Sequence, residues 1–338
     1  MHMADALVRP VVAGVMDMAA AGAAGYSLKK IKNDVEDTKK IPVMGVMGAF
    51  VFAAQMINFT IPGTGSSGHI CGGMLLAALL GPYAGFLTMI GILVIQCLLF
   101  ADGGILALGC NIWNMAFYGC FVGGACIMGT ICREKVSKKR IMAASVLGCV
   151  LSLQLGAFSV VLQTLLSGIT ELPFSVFAGM MQPIHLAIGV VEGVITGSVL
   201  SFVWEARPEL LWVYSAKQEG VKDGRMGKRQ TIGIFLITAL VLGGGFFLLA
   251  SENPDGLEWS MAKVAGKVVG TGKSAVNTAL EGIQNRLSVM ADYTFGGSDH
   301  TWALVAAGLA GTLVTLAVCA LIGKCLYQRS RHGCKCEK

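Results

Sequence analysis

Long apolar runs constrain this chain more than any other feature. They lie near residues 11–28, 41–59, 69–81, 83–101, 107–131, 141–167, 183–204, 230–250 and 302–326. Inside a bilayer every backbone N–H and C=O needs a partner within its own helix or within a closed barrel. Barrel strands would read as short segments of alternating polarity. These runs are long and uniformly apolar, so they predict helices, and the chain reads as an all-α polytopic membrane protein. Seven runs form one group and a two-run hairpin follows. The third run falls short of the roughly 20 residues a full crossing needs. It adjoins a Gly-rich break, which predicts a segment lining a protein cavity rather than touching lipid. With 54% hydrophobic and only 14% charged residues, the composition agrees.

The net charge of +6 is therefore read as topology, not as a nucleic-acid footprint. Basic residues gather in 29–40, 133–140, 206–229 and the tail from Lys324, while 60–68, 102–106 and 168–182 hold no Lys or Arg. The positive-inside rule puts the basic segments in the cytoplasm. Met1 and His69 then share the outer face, and the carboxy terminus lies inside. The start, MHMADALVRP, lacks the basic opening of a signal peptide, so Met1 is expected to be retained. The eleven Cys are mostly scattered through apolar runs and read as small hydrophobes rather than a disulfide framework.

Met1-His2 and His69 carry the sharpest chemical signal. A free α-amine on Met1, the backbone nitrogen of His2 and the ring of His2 close two fused chelate rings in one plane. His69, in the polar break GTGSSGHICGG, can supply the fourth corner. Four nitrogens in a square suit Ni(II) or Cu(II), and the amide must lose its proton to bind. The plainer reading is a solvated loop histidine. Gln55, Ser66, Ser67, Asp102 and Asn111 are placed to orient these ligands, with Asp102 equally readable as a turn residue in DGG. Gln96, Gln154, His185 and Glu192 lie within apolar runs, where polar residues are costly and usually paired. His185 is expected to start a helix and Glu192 to bond a neighbouring helix. Gly-rich stretches at 85–91 and 119–124 predict close helix packing. Cys334 and Cys336 in the tail could bind metal or be plain mobile chain. No GxxxxGK[ST] loop is present, so any ATPase is a separate protein.

Four segments together, MHMADAL, GTGSSGHICGG, FADGGILALGCNIWNM (100–115) and HLAIGVVEGVITG (185–197), resemble the CbiM/NikM substrate-binding (S) components of energy-coupling-factor transporters for cobalt and nickel. The resemblance covers residues 1–205. It implies that Met1, His2 and His69 hold the ion, and that the seven helices form an S-component bundle. Cys71 departs from the pattern, where an aliphatic residue is usual. PDGLE at 254–258, between two apolar runs, resembles the NikN/CbiN accessory module, so 230–338 reads as a fused two-span unit after a cytoplasmic linker, 206–229. The external segment 259–300 includes an amphipathic stretch near 274–290.

The resemblance further implies a prokaryotic cell (inner) membrane protein and not an enzyme. Ni2+ or Co2+ would be cargo rather than a permanent cofactor. The partners would be a CbiQ/NikQ-like coupling subunit and CbiO/NikO-like ATPases. A secondary cation transporter and a membrane-bound metal or redox subunit are the rival readings. The first would need paired buried carboxylates, the second ligand pairs at cofactor spacing. Residues 230–338 are expected to contribute nothing to the cage itself.

Overall fold

The computed structural model describes residues 1–31, 40–168, 173–215, 224–265, 274–295 and 300–335. An arm, Met1–Val8, with a short 3-10 turn at Asp5–Leu7, leads into α1 (Pro10–Lys30). Then come α2 (Lys40–Gln55), α3 (Gly73–Leu80), α4 (Pro82–Phe100), α5 (Leu108–Ile131), α6 (Lys138–Ser167) and α7 (Phe174–Ala206). The second unit holds α8 (Lys228–Gly244), α9 (Gly256–Ala265), α10 (Ala275–Leu287) and α11 (Thr301–Lys335). Among the described residues, six helices (α1, α4, α5, α6, α7 and α11) are long and apolar enough to cross a membrane. The shorter apolar α2, α3 and α8 pack among them, so the nine runs do not translate into nine equal spans.

The structure departs from the sequence reading at several places. The run 69–81 is helical only from Gly73; residues 69–72 are a buried non-helical loop. The run 183–204 begins its helix at Phe174, because Pro183 sits inside α7 rather than ending it. His185 is therefore mid-helix, its Nδ1 2.8 Å from the Met181 carbonyl. The linker is not wholly polar either. Leu211 and Val213 are buried, and the Trp212 ring lies against Gly81 and Gly129. Residues 216–223 and Cys336 lie outside the described residues, as does the side chain of Cys334.

Glycines set the closest approaches. A Cβ on Gly73 would meet the Met115 carbonyl at 3.0 Å and the Gly119 Cα at 3.2 Å, so α3 and α5 touch backbone to backbone. Between α2 and α3 a short antiparallel hairpin pairs β1 (Phe59–Ile61) with β2 (Ser66–Gly68), Thr60 opposite Ser67. This hairpin is the one sheet among the described residues, and the all-α reading missed it. Its turn holds Gly63 and Gly65 at φ +78° and +75°, backbone that glycine adopts without strain.

Candidate metal centre

The arm, the loop after β2 and the fused unit converge at one end of the bundle. The arm is threaded in by its own backbone. Met3 N–H donates to Asn111 Oδ1 at 2.7 Å, and Asn111 Nδ2 and Gly104 N–H both donate to the Met3 carbonyl, at 3.1 and 3.0 Å. Asp5 Oδ1 accepts from Ala107 N–H at 2.9 Å. Met3 is fully buried. The sequence allows this because Gly103 and Gly104 leave no side chain in the way. A Cβ on Gly103, at φ +85°, would come within 2.7 Å of Asn111 Nδ2, and one on Gly104 would run into Asp5.

The arm delivers the Met1 amine to 3.3 Å from His69 Nε2. The His2 and His69 rings stack, centroids 5.3 Å apart and 22° between planes. Adjacent donors around an ion with bonds of about 2.0 Å lie about 2.8 Å apart, so the amine and His69 sit close to the spacing of neighbouring ligands. Among the described residues no three His, Cys, Asp or Glu side chains gather as a cage. A site here therefore depends on main-chain nitrogens as well as the two imidazoles.

The loop carrying His69 is held from below. Cys71 and Gly72 N–H groups donate to Glu192 Oε2 and Oε1, at 2.8 and 2.9 Å. Gln55 Nε2 donates to the Cys71 carbonyl at 2.8 Å. His69 Nδ1 lies 3.0 Å from the Ile70 carbonyl, so a main-chain oxygen, not any of the anticipated side chains, orients that ring. From above comes the fused unit. Ser67 N–H donates to the Pro254 carbonyl at 2.8 Å and its hydroxyl to the Asn253 carbonyl at 2.7 Å. This annexes 253–255 to β2, and Asp255 Oδ2 lies 3.0 Å from the Met1 amine. Asp255 Oδ1 accepts from Leu257 and Glu258 N–H, both at 2.8 Å, which caps α9 and aims the other oxygen at the amine.

Burial and charge shape the titration. Burial alone would lower the amine, but the Asp255 carboxylate foremost, with help from Asp102 and the neighbouring Cys71, raises the pKa. Burial, the nearby ammonium and His2 push His69 down to about 3. Burial also lowers His2, against the pull of Asp102. Burial works to raise Asp255, yet the amine beside it and its own hydrogen bonds hold it well below the ordinary carboxylate range. At neutral pH the site thus holds two neutral imidazoles and an ammonium–carboxylate pair. A cavity of about 440 Å3, lined in part by His2, His69, Asp102, Asp255, Glu258 and Asp292, borders it.

Of the residues anticipated around the ligands, Asp102 approaches His2 Nδ1 at 3.2 Å and accepts from the Tyr293 hydroxyl at 2.6 Å. Asn111 clamps the arm, and Gln55 the loop. Ser67 serves the fused unit, and Ser66 bonds Thr64 at 2.8 Å; both are corrections to a role beside His69. Glu192 grips the loop amides, not a neighbouring helix. Cys71 is a buried free thiol whose main chain is what contributes. Sequence reasoning missed Asp255, Gln96, Tyr293 and the grip of Glu192. The PDGLE stretch and the intramembrane Glu were the available signals.

The CbiM family, the cobalt uptake substrate-specific transmembrane region, matches residues 2–210, and the PDGLE domain family matches 229–328. A fused nickel transport protein, NikMN, of Archaeoglobus fulgidus is 31% identical over 318 residues, covering 94% of this chain and 96% of its own. The fused nickel transport protein LarMN of Lactiplantibacillus plantarum is 31% identical over 77% of this chain and 78% of its own. A crystal structure of a truncated transition metal transporter is 32% identical, with a TM-score of 0.53 over 61% of this chain and 99% of its own. A second aligns over 64% of this chain and 100% of its own, at 31% identity and a TM-score of 0.54.

Proposed function

We infer that this chain, which belongs to the CbiM family of cobalt-uptake substrate-specific transmembrane proteins and carries a fused PDGLE module, captures Ni2+ or Co2+ at the outer face of a prokaryotic cell membrane. It hands the ion inward as the substrate-specific component of an energy-coupling-factor transporter. A coupling membrane subunit and ATPases are separate chains in this reading. The amino terminus lies outside and the carboxy terminus inside, on the argument of the basic segments. The observation that carries the reading is the Met1 amine 3.3 Å from His69 Nε2, with the His2 ring stacked on that imidazole.

The chemistry follows from the donors. The amine, the His2 amide nitrogen, a His2 ring nitrogen and His69 Nε2 make four nitrogens, a set that favours a square-planar ion. A metal-bound amine uses the lone pair that holds the ammonium's third proton, so the ion replaces the ammonium charge beside Asp255, while the remaining N–H groups can still donate to that carboxylate. As the ion enters, the ammonium and the amide each lose one proton. Two positive charges arrive and two leave, so this partly buried site keeps its net charge and avoids the cost of an uncompensated buried charge. The cavity beside His2 and Asp255 is the entry path, its carboxylates favouring a cation.

The test is the metal content of the purified protein after growth with each ion. Nickel or cobalt is expected at about one per chain. His69→Ala should leave a three-donor chelate and weaken binding by more than the 10–100-fold typical of groups that merely orient ligands. One residue added before Met1, or acetylation of the amine, should abolish binding. Binding that survives both changes would remove the cage.

A further inference from the structure

We propose that Gln163, acting through Asn114, holds the amino-terminal arm down on the ion and so sets how fast a bound ion is released. Gln163 is a positioning residue, and its effect on the ion rests on the metal-site reading above. The arm turns its side chains in two directions. His2 turns to His69, where the rings stack. Met1 and Met3 turn instead to α5 and α6. A Cβ on Gly156 of α6 would meet Met1 Cε at 3.0 Å, so Met1 lies on that helix where it carries no side chain. The Met3 thioether lies 3.6 Å from Asn114 Nδ2 of α5. Gln163 and Ser167 follow Gly156 on the same face of α6, about two and three turns further along. Ser167 Oγ accepts from Arg9 N–H at 3.1 Å. One stripe of α6 therefore meets the arm at Met1 and Arg9, and reaches Met3 through Asn114.

Gln163 ties that stripe to α5. Asn114 Nδ2 donates to Gln163 Oε1 at 2.8 Å, and Gln163 Nε2 donates to Asn114 Oδ1 at 3.0 Å. Both side chains are buried. An amide facing an amide satisfies a donor and an acceptor on each, which suits a polar pair between helices in an apolar layer. The Ser167 hydroxyl donates to the Gln163 carbonyl at 2.7 Å, so the residue that holds Arg9 also bonds the turn carrying Gln163. The amide pair forms a wall of the Met3 socket. Asn111, about one turn earlier on α5, holds the Met3 main chain, so Met3 is fixed at both backbone and side chain. Met3 adjoins His2 and follows the amine by two residues. The amine, the His2 amide and the His2 ring are consecutive on the arm, and an ion they share leaves only when the arm lifts. Lifting the arm means drawing Met3 from its socket. Losing Gln163 would strip Asn114 of both its bonds to α6 and loosen the group that meets the thioether.

The experiment uses the full-length protein in lipid nanodiscs with three changes. Gln163→Leu removes the amide and keeps the bulk. Met3→Ala empties the socket and leaves both helices unaltered. Asn114→Gln combined with Gln163→Asn exchanges the long and short amides and keeps the pair. Protein loaded with Ni2+ is mixed with excess chelator. Gln163→Leu and Met3→Ala should each release Ni2+ about 10–100-fold faster, the range typical when a group that supports a ligand is lost. The visible spectrum of the bound ion should stay the same, because its four nitrogens are the same. The double exchange should bring release back toward the unaltered rate. Without metal, hydrogen exchange at the Met3 amide should quicken in Gln163→Leu and slow again in the double exchange. A merely structural pair would lower the thermal midpoint of Gln163→Leu and leave release and amide exchange as they were. That outcome overturns the proposal, as does an unaltered release rate in Met3→Ala. If His69→Ala binds and releases Ni2+ as the unaltered protein does, the cage reading is what falls, and exchange at the Met3 amide still decides whether Gln163 holds the arm.

Discussion

At the scale of single residues, Asp255 is the group that, on the proposed metal reading, would decide how the site trades protons for an ion. It comes from the fused unit and holds the Met1 amine at 3.0 Å. Its carboxylate is what lifts the amine against a burial that would otherwise lower it. With the amine charged at neutral pH, binding Ni2+ should release about two protons, one from the amine and one from the His2 amide. The logarithm of the apparent affinity should then rise with pH at a slope near that number, up to the raised amine pKa. Asp255→Asn removes the lifting charge and leaves burial in control. The amine pKa should then fall, and proton release should fall from about two toward one per ion. Calorimetry in buffers of differing ionisation enthalpy reads this count directly. An unchanged count in Asp255→Asn would mean that the amine pairs elsewhere when the ion arrives. The sequence showed Met1, His2 and His69 because each is chemically distinctive near a polar break. It hid Asp255 and Gln96 because an acidic turn residue and a glutamine in an apolar run have no metal signature until folding brings them 254 and 94 residues along the chain to the arm.

Among elements, the join between α7 and the His69 loop is the most demanding. Glu192 is buried and both carboxylate oxygens are used, on the amides of Cys71 and Gly72. Gly72 sits at φ +76°, and a Cβ there would collide with Val51, so the loop has little freedom to find other partners. One turn earlier, Ile188 fills the space over Gly68, and two turns earlier His185 and Ile184 back Gly256 at the start of α9. A single face of α7, residues spaced by three and four, therefore supports the loop and touches the fused unit. The sequence showed the spacing of His185 and Glu192, but periodicity cannot say what a helix face meets. The hairpin β1–β2 was equally illegible, because three-residue strands in a Gly/Ser segment carry no alternation to detect. Glu192→Gln leaves one acceptor oxygen and turns an amide NH2 toward a loop N–H. The unpaired donors should cost about 1–3 kcal/mol, seen as a lower thermal midpoint. Ni2+ affinity should fall with it, because the backbone two residues from His69 is released. A lower midpoint with unaltered affinity would show that α7 supports the fold without setting the site.

For the whole molecule, the fused unit is built into the bundle rather than hung from it, reaching the Met1 amine through Asp255 while adding no nitrogen to the proposed cage. Its helix α11 lies along α2, where a Cβ on Gly45 would meet Ala320 Cβ at 3.0 Å and one on Gly48 would meet Cys319 Sγ at 2.6 Å. Small residues at such positions let helices approach within lipid, where packing rather than water exclusion holds them together. At the site end, α10 adds Gln284 Nε2 to the Cys97 and Gly103 carbonyls at 2.9 and 2.7 Å, and Asn277 Nδ2 to the Asp5 carbonyl at 3.2 Å. Met290 N–H donates to the Leu99 carbonyl at 3.0 Å. The amphipathic stretch was legible as a helix, but its seat on the last turn of α4, the loop after it and the arm was not, since those bonds end on main-chain carbonyls that every sequence has. With so many contacts across the join, the covalent connection supplies only effective concentration. A chain cut between residues 216 and 223, expressed as two pieces, should still purify as one complex and restore nickel uptake in cells with the partner subunits. Adding Gly48→Leu to the cut chain should drive a side chain into Cys319 and part α2 from α11. The second piece should then fail to co-purify, and uptake should drop because Asp255 and Tyr293 leave the site with it. In the uncut chain the same substitution should be milder, since the tether keeps the second unit near. If the cut chain falls apart without Gly48→Leu, the linker holds the two units together, and the glycine contacts along α2 are too weak to assemble the site by themselves.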